Sequence, residues 1–184
     1  MTVPNTLYYR KAMAADVAAV LKLIRSAFRG EESRAGWTTE ADLIADDRID
    51  QESLLGKIER SDGMVLLAHD HAGKLAACCE ISRQDGQDGY LGLLAVDPLR
   101  QISGIGKKLL TEAEVIAKEK LGASKLEIRV IWTRDSLIEW YTRRGYSNTG
   151  RAEPFPYDQL VNGKALRDDL YFIIMKKELE SSAL

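Results

Sequence analysis

Residues 96–110 read VDPLRQISGIGKKLL, and this stretch decides the fold. The apolar run at residues 90–96 leads into it and predicts a buried strand. Asp97 and Pro98 end that strand, because proline has no N–H to donate to a ladder. After the glycines, apolar residues recur at helical spacing until Gly122, which predicts a long helix. The stretch is therefore a strand, a glycine-bearing turn and a helix.

The turn predicts an anion-binding site. Its few side chains leave the backbone N–H groups of residues 102–106 open, and the positive end of the helix dipole points the same way. We therefore expect a diphosphate here, although two familiar nucleotide motifs do not fit. A Walker P-loop needs Gly-Lys-Ser/Thr, but Lys108 follows Gly106 and Lys107. A dinucleotide fingerprint needs a third glycine where Leu109 stands.

Length and composition suit one globular domain. The chain has 184 residues, of which 45% are hydrophobic and 29% charged, which is ordinary for a globular protein. The formal net charge of −2 gives no general attraction to nucleic acid or to an anionic membrane. No apolar run of the sequence reaches the length of a membrane span. We expect neither nucleic acid nor membrane as a partner.

Cys78 and Cys79 are the two cysteines of the chain. Neighbours in a strand point to opposite faces, so they offer no sensible disulfide. The two histidines, His69 and His71, add no spacing typical of metal ligands. We expect buried thiols, no metal, and a reducing cytoplasmic location.

The rest of the chain predicts strands and helices that do not strictly alternate. The predicted strands lie at residues 7–12, 64–69, 74–82, 90–96, 125–130 and 170–175, with extended chain from 146. The predicted helices lie at residues 17–28, 37–44, 52–60, 105–117 and 136–144. This order indicates one α/β domain of mixed (α+β) type over residues 1–184.

Two motifs resemble those of the GNAT N-acetyltransferases. Gln101-x-x-Gly104-x-Gly106 is similar to that family's acyl-coenzyme A signature, and residues 140–146 (WYTRRGY) look like its second, aromatic motif. The order of elements also matches over almost the whole chain. The resemblance implies a GNAT-type domain with a mostly antiparallel sheet of about seven strands, splayed at the coenzyme site and flanked by about four helices.

The resemblance also implies acetyl-CoA as the acyl-donor cosubstrate. In the family, the pantetheine arm lies where the strand before the turn splays from its parallel neighbour. Carried onto this sequence, main-chain groups of Leu94, Ala95 and Val96 would bind the pantetheine, and the turn would hold the diphosphate. The remaining residues of the expected coenzyme site are Gln101, Ile102, Ser103, Gly104, Ile105, Gly106 and Lys107.

Catalytic residues are carried over position by position. Tyr141 stands where the family often places a tyrosine that meets the coenzyme's sulfur, and a phenol suits a thiolate leaving group; alternatively it is a core aromatic. The family's strand acid is missing from residues 90–96, so Glu80 on the neighbouring strand is the candidate base, with a pKa raised by apolar neighbours. Alternatively Glu80 faces water, and water itself removes the proton. Arg134 replaces the usual asparagine, and it either approaches the coenzyme or faces solvent.

The acceptor is expected to enter opposite the coenzyme, between the first helices and the late loops. Trp37, Phe155 and Tyr157 would form an aromatic wall there. Acids of the early loops would attract a protonated amine or simply form a charged face. A small amine, an amino acid and a peptide terminus all stay open as acceptors, as does a homodimer.

Three interpretations of function follow. The leading one is an acetyl-CoA-dependent N-acetyltransferase that works by direct transfer in a ternary complex, because no side chain is an evident covalent nucleophile. The second is a non-catalytic domain that binds or senses acyl-CoA. The third and weakest is a nucleotide-binding domain.

Overall fold

The computed structural model describes residues 6–84, 86 and 88–179. Its strands are β1 (Tyr8–Lys11), β2 (Ile44–Ala45), β3 (Gly63–His69), β4 (Leu75–Arg83), β5 (Asp88–Val96), β6 (Lys125–Ile131), β7 (Ser147–Pro154), β8 (Lys164–Ala165) and β9 (Tyr171–Glu178). Its α-helices are α1 (Val17–Phe28), α2 (Gln51–Glu59), α3 (Ile105–Glu119) and α4 (Asp135–Thr142). The predicted elements are confirmed with shifts of a few residues, except for the helix expected at residues 37–44.

Seven of the described strands form one sheet, in the spatial order β1-β3-β4-β5-β6-β9-β7. Within it, the pairing of β5 with β6 is parallel and the others are antiparallel. The short strands β2 and β8 pair as a separate antiparallel ribbon. The mixed α/β fold with a seven-stranded, mostly antiparallel sheet and four helices is therefore confirmed.

The sheet separates two hydrophobic cores. α1 and α2 pack on one face together with Cys78, whereas α3 and Tyr141 of α4 pack on the other together with Cys79. The predicted opposite orientation of the two cysteines is confirmed, and both thiols are buried and free.

Residues 37–44 form turns and the start of β2, not the predicted helix. Thr38 and Glu40 are buried. The Thr38 hydroxyl donates to the Ala27 carbonyl at 3.1 Å, and the Glu40 N–H donates to the Phe28 carbonyl at 2.9 Å. These contacts tie the segment to the end of α1, and such tertiary contacts override weak helix propensity.

The glycine turn is built as the sequence predicts. β5 leads into a 3₁₀ helix, Pro98–Ser103, and Gly104 joins that helix to α3 with a φ of +79°. A side chain would be strained at this φ, so glycine is needed here. The turn places the N-terminus of α3 directly beyond the end of β5.

The described helices include none that is both long and apolar enough to cross a membrane. The expected domain boundaries, residues 1–184, include segments at both ends that lie outside the described residues, so the extent of the domain stays a prediction.

Candidate active site

A cleft opens where β5 leaves β6. The two strands pair only from Asp88 to Tyr90 on β5, against residues 125–127 of β6. From Leu91 onward, β5 is hydrogen-bonded to β4 alone. The backbone groups of residues 91–96 that face β6 are thus left without a strand partner. We call this space, of about 250 Å³, the strand cleft.

A bulge distorts β5 inside the strand cleft. The pairing register with β4 shifts between Cys78 and Glu80, so that Leu93 and Leu94 together oppose one residue. Leu93 has a φ of +48°, which is a strained conformation for a leucine. A bulge leaves a backbone group out of the ladder, and here that group lies at the wall of the cleft.

Most of the expected coenzyme residues line the strand cleft. Those in its lining are Leu94, Val96, Gln101, Ile102, Gly104, Gly106, Lys107 and Arg134. The other three are not in the lining: the Ala95 and Ile105 side chains are fully buried in the cores, and the Ser103 hydroxyl donates to the Arg100 carbonyl at 2.6 Å. The buried Ala95 and Ile105 side chains leave those two residues only their main-chain groups for a ligand, whereas Ser103 is exposed at the turn.

The N-terminus of α3 forms one end of the cleft. The first N–H groups of an α-helix have no acceptor within the helix, and they carry the positive end of its dipole. Gly106 lies in this first turn, and a Cβ added there would sit 3.5 Å from Val96 and 3.6 Å from Trp140. Glycine therefore leaves room between α3, Val96 and Trp140 at the end of the cleft where a helix N-terminus could hold an anion.

Gln101 binds the protein itself through its side chain. Its Oε1 accepts from the N–H groups of Trp37 (2.8 Å) and Thr38 (3.2 Å). Its Nε2 donates to the Thr38 hydroxyl at 2.7 Å and to the Val96 carbonyl at 3.2 Å. The Gln101 side chain thus fastens residues 36–38 over the cleft, a role that the motif alone did not reveal.

We expect Gln101→Ala to lower the free energy of unfolding by about 1–3 kcal/mol, because it removes the acceptor of the Trp37 and Thr38 N–H groups and a donor to the Val96 carbonyl. Urea denaturation measures this. Gln51→Ala, at an exposed position on α2, is the matched control and is expected to stay within about 0.5 kcal/mol. Equal stabilities for the two variants would contradict the fastening role.

Tyr141 lies on the wall of the strand cleft. Its side chain is 6% exposed, and its ring packs edge-on against Trp140 (5.0 Å between centroids) and Tyr146 (5.4 Å). Burial raises the pKa of Tyr141 well above its ordinary value, with Arg134 acting in the opposite direction. The phenol is therefore both a packed aromatic and a protonated group at the cleft.

Trp37 lies beside the strand cleft rather than in the predicted acceptor wall. Its ring is 6.2 Å from that of Trp140, and it is 39% exposed. The reason is the Gln101 contact with the Trp37 N–H, which draws this loop toward the glycine turn.

Arg144 is a cleft residue that sequence reasoning missed. Its guanidinium stacks 3.7 Å from the Trp140 ring centroid, and its Nη1 donates to the Trp140 carbonyl at 2.7 Å. Burial lowers its pKa, with the Arg143 charge adding to the effect. The sequence feature that could have identified Arg144 is its position inside the WYTRRGY motif at residues 140–146.

A second space, the side cavity, joins the strand cleft. It has a volume of about 280 Å³ and lies between α1, α2 and the late loops. The two spaces share Glu40, Arg48, Tyr90 and Leu93. We call this shared region the junction, and two ligands bound in the two spaces would meet there.

Of the two late-loop aromatic residues that were predicted to form the acceptor wall, Phe155 lines the side cavity and Tyr157 does not. Phe155 is 8% exposed and lines the side cavity. Tyr157 lies outside that lining; its ring packs on Phe155 at 4.9 Å, and its hydroxyl accepts from the Leu170 N–H at 2.8 Å. Tyr157 therefore supports the wall from behind.

Glu80 lines the side cavity, but not among the apolar neighbours that were expected. It is 2% exposed, so the alternative of a water-facing glutamate is wrong. Lys57 Nζ donates to both carboxylate oxygens at 2.9 Å, and Arg60 Nη1 donates to Oε1 at 3.2 Å. Glu80 is therefore an ion-paired carboxylate and not an isolated one.

Arg134 is held in a second buried ion-pair network and does not face solvent. Its Nη1 donates to Glu40 Oε1 and its Nη2 to the Thr38 carbonyl, both at 2.6 Å. Glu40 is also paired with Arg29. Burial by itself raises the pKa of Glu40. The positive charges of Arg134, Arg29 and Arg48 lower it by a larger amount, so the net shift is downward. Glu40 is therefore a firmly ionised carboxylate.

The cysteines offer no reactive nucleophile. Burial raises the pKa of Cys78 to about 12, and that of Cys79 is raised well above its ordinary value by burial and by its neighbours Cys78 and Glu80. A thiol is nucleophilic only as the thiolate. Within the described residues, no cluster of three or more His, Cys, Asp or Glu is placed to hold a metal ion.

We expect the native protein to resist iodoacetamide at pH 8, because neither thiol is exposed or ionised there. The urea-unfolded chain is expected to take up two alkyl groups, one for each cysteine. Intact-mass measurement distinguishes the two states. Comparable labelling rates before and after unfolding would contradict the burial of the thiols.

Comparisons with known proteins agree with this geometry. Residues 18–146 match the family model described as the acetyltransferase (GNAT) family. The ribosomal-protein-S18-alanine N-acetyltransferase from Escherichia coli is 15% identical, with a TM-score of 0.69, and the match covers 97% of both chains. A GNAT-family acetyltransferase from Staphylococcus aureus is 17% identical, with a TM-score of 0.67, and the match covers 95% of this chain and 100% of that one.

A Salmonella typhimurium protein named as an acetyltransferase was solved with its cofactor acetyl-CoA. It is 20% identical, with a TM-score of 0.68, and the match covers 97% of both chains. At these identities, the structural likeness establishes the fold alone. A search of curated proteins gave no significant match.

Proposed function

The chain belongs to the GNAT acetyltransferase family and is an acyltransferase, and we propose that it transfers an acetyl group from acetyl-CoA to a primary amine by direct transfer in a ternary complex. The observation that carries this proposal is the junction. The strand cleft and the side cavity are two separate spaces that meet at Tyr90 and Leu93, where the reacting ends of two substrates would come together. Holding two reactants together in this way removes much of the entropic barrier to transfer.

The strand cleft fits acetyl-CoA. Beyond Tyr90, β5 has no strand partner on the β6 side, and an unpaired strand edge suits the amides of a pantetheine arm. The N-terminus of α3 suits a diphosphate, and Lys107 and Arg144 add positive charge to the lining. When bound, acetyl-CoA supplies the acyl group as a reactive thioester.

Two groups of the chain would act on the thioester. A backbone N–H at the bulge of Leu93 and Leu94 would polarise its carbonyl, as donors in an oxyanion hole do. Tyr141 would donate its proton to the departing sulfur. Its raised pKa keeps the phenol protonated across the neutral range, so the donor is present at every working pH.

Neither Glu40 at the junction nor Glu80 in the side cavity has the contacts of a free base. Glu40 and Glu80 both hold two basic partners. We therefore propose that water in the side cavity takes the proton of the amine.

The thiols are buried and not in the lining of either space, which supports direct transfer without an acyl-enzyme.

The test is thiol release from acetyl-CoA across a panel of amines, amino acids and peptides, with calorimetric binding of acetyl-CoA in parallel. We expect binding, and turnover with at least one class of amine. Binding without any turnover over a broad panel would favour a domain that senses acyl-CoA. Absence of binding would overturn the assignment of the strand cleft.

A further inference from the structure

Arg48 stands out at the junction because no described carboxylate pairs directly with its guanidinium, whose charge acts on Glu40 only at longer range. It lines both the strand cleft and the side cavity. Its Nε is buried and has no hydrogen-bond partner among the described residues. The contact recorded for its guanidinium is with the Phe28 ring, 5.6 Å from the centroid. Arg48 as a whole is half-buried, and a buried N–H of a guanidinium normally has a hydrogen-bond acceptor.

The carboxylates nearby are already neutralised. Each acid that lines the side cavity has a basic partner other than Arg48. The pairs are Glu40 with Arg29 and Arg134, Asp46 with Arg29, and Glu80 with Lys57 and Arg60. Arg48 is therefore the cation of the lining that has no carboxylate of its own, and an anionic group of a ligand could form an ion pair with it.

The backbone at Arg48 is fixed in a strained conformation. Its φ is +66°, a left-handed conformation that is strained for an arginine. The Arg48 N–H donates to Asp46 Oδ1 at 3.0 Å, and Asp46 Oδ2 accepts from the Val161 N–H at 3.1 Å. This fixed loop presents the guanidinium to the junction before any ligand arrives, and such pre-organisation favours binding.

The far side of the side cavity is apolar. Ile131 and Phe155 are buried there, and Phe172 and Leu160 pack against the same cluster. The lining of the side cavity therefore combines the Arg48 cation at the junction with an apolar cluster outside the junction. A ligand that matches both has an anionic group at one end and an apolar body at the other.

From this arrangement, and resting on the transfer proposed above, we infer that the acceptor is an α-amino acid with an apolar side chain, whose carboxylate is bound by Arg48. The amine and the carboxylate of such a molecule share one carbon. With the carboxylate on Arg48, the nitrogen stays at the junction beside Leu93, and the side chain extends toward Phe155.

The test compares acids with their amides, which keep the amine and the side chain but lack the charge. The substrates are L-leucine, L-methionine and L-phenylalanine, each against its carboxamide. For the preferred side chain, we expect the wild-type kcat/KM to favour the acid by roughly tenfold or more. Arg48→Gln is expected to bring this ratio close to one.

Arg25→Gln is the matched control, because it removes the same charge from the neighbouring α1, where Arg25 pairs with Asp47 at 3.6 Å outside both cavities. It is expected to keep the wild-type ratio. The inference is overturned if no acid exceeds its amide in the wild type. It is also overturned if Arg48→Gln lowers kcat/KM equally for acid and amide, which would indicate a coenzyme contact.

Calorimetric titration of the same three acids separates this inference from the proposed function. If acetyl-CoA binds but no amine is acetylated, the transfer proposal fails by itself. Binding of an acid by the wild type and by Arg25→Gln, with loss in Arg48→Gln, would still support the carboxylate site. Absence of acid binding to the wild type would overturn it.

Discussion

Replacing Tyr141 with phenylalanine is expected to lower kcat by about 100-fold, the lower end of the range for loss of a general acid. The Kd of acetyl-CoA is expected to stay within about twofold, because the ring and its packing are kept. Tyr141 is buried on the wall of the strand cleft, with a pKa raised by that burial. Without the hydroxyl, the thiolate would have to leave unprotonated or wait for water.

Tyr146→Phe is the control for this experiment. Tyr146 is also buried and packs against Tyr141, but its hydroxyl donates to Glu114 Oε1 at 3.1 Å and is not in the cleft lining. Its loss is expected to cost about 1 kcal/mol of stability and to leave kcat near the wild-type value. If Tyr141→Phe retained a wild-type kcat, Tyr141 would be a core aromatic and not an acid.

A pH profile adds a second check on the same residue. Because the pKa of Tyr141 is raised, the phenol is protonated below that value and the acid form is lost only in strongly alkaline solution. The rise of kcat/KM with pH is then expected to follow deprotonation of the acceptor amine. A fall of the rate near pH 8 or 9 would indicate a different acid.

The parts of the fold that follow from local chemistry were predicted from the sequence. The proline stop, the glycine turn and the apolar face of α3 depend on residues within a few positions of one another, so the pattern contains them. The opposite burial of Cys78 and Cys79 follows from the period of a strand. The end of β5, the glycine turn and the start of α3 all line the strand cleft, so this part of the site follows from the local pattern.

The charged contacts could not be predicted, because they join distant parts of the chain. Arg134 meets Glu40 across 94 positions, and Lys57 meets Glu80 across 23. Glu80 has apolar neighbours in the sequence, but in the folded chain its carboxylate forms ion pairs with Lys57 and Arg60. The same applies to residues 37–44, where buried partners prevented the helix that the pattern favours. No local pattern distinguishes the unpaired Arg48 from the paired Arg29.

Gly106→Asp is expected to weaken acetyl-CoA binding by at least about 100-fold. A negative charge in the first turn of α3 would neutralise the positive end of the helix dipole and would repel a diphosphate bound there. At about 4 Å and an effective dielectric constant of about 20, two like charges repel by about 4 kcal/mol. Solvent screening reduces this, and roughly 2.7 kcal/mol corresponds to 100-fold. Calorimetry with acetyl-CoA measures the change.

Two further variants separate the charge from other effects. Gly106→Ala adds only a Cβ, at ordinary contact distances of 3.5 Å from Val96 and 3.6 Å from Trp140, so the fold is expected to tolerate it with a smaller loss of affinity. Gly56→Asp puts the same charge on the exposed face of α2, where a Cβ meets nothing within 4 Å, and is expected to bind acetyl-CoA normally. If Gly106→Asp also bound normally, the diphosphate would lie elsewhere, and the glycine turn would serve only to join β5 to α3.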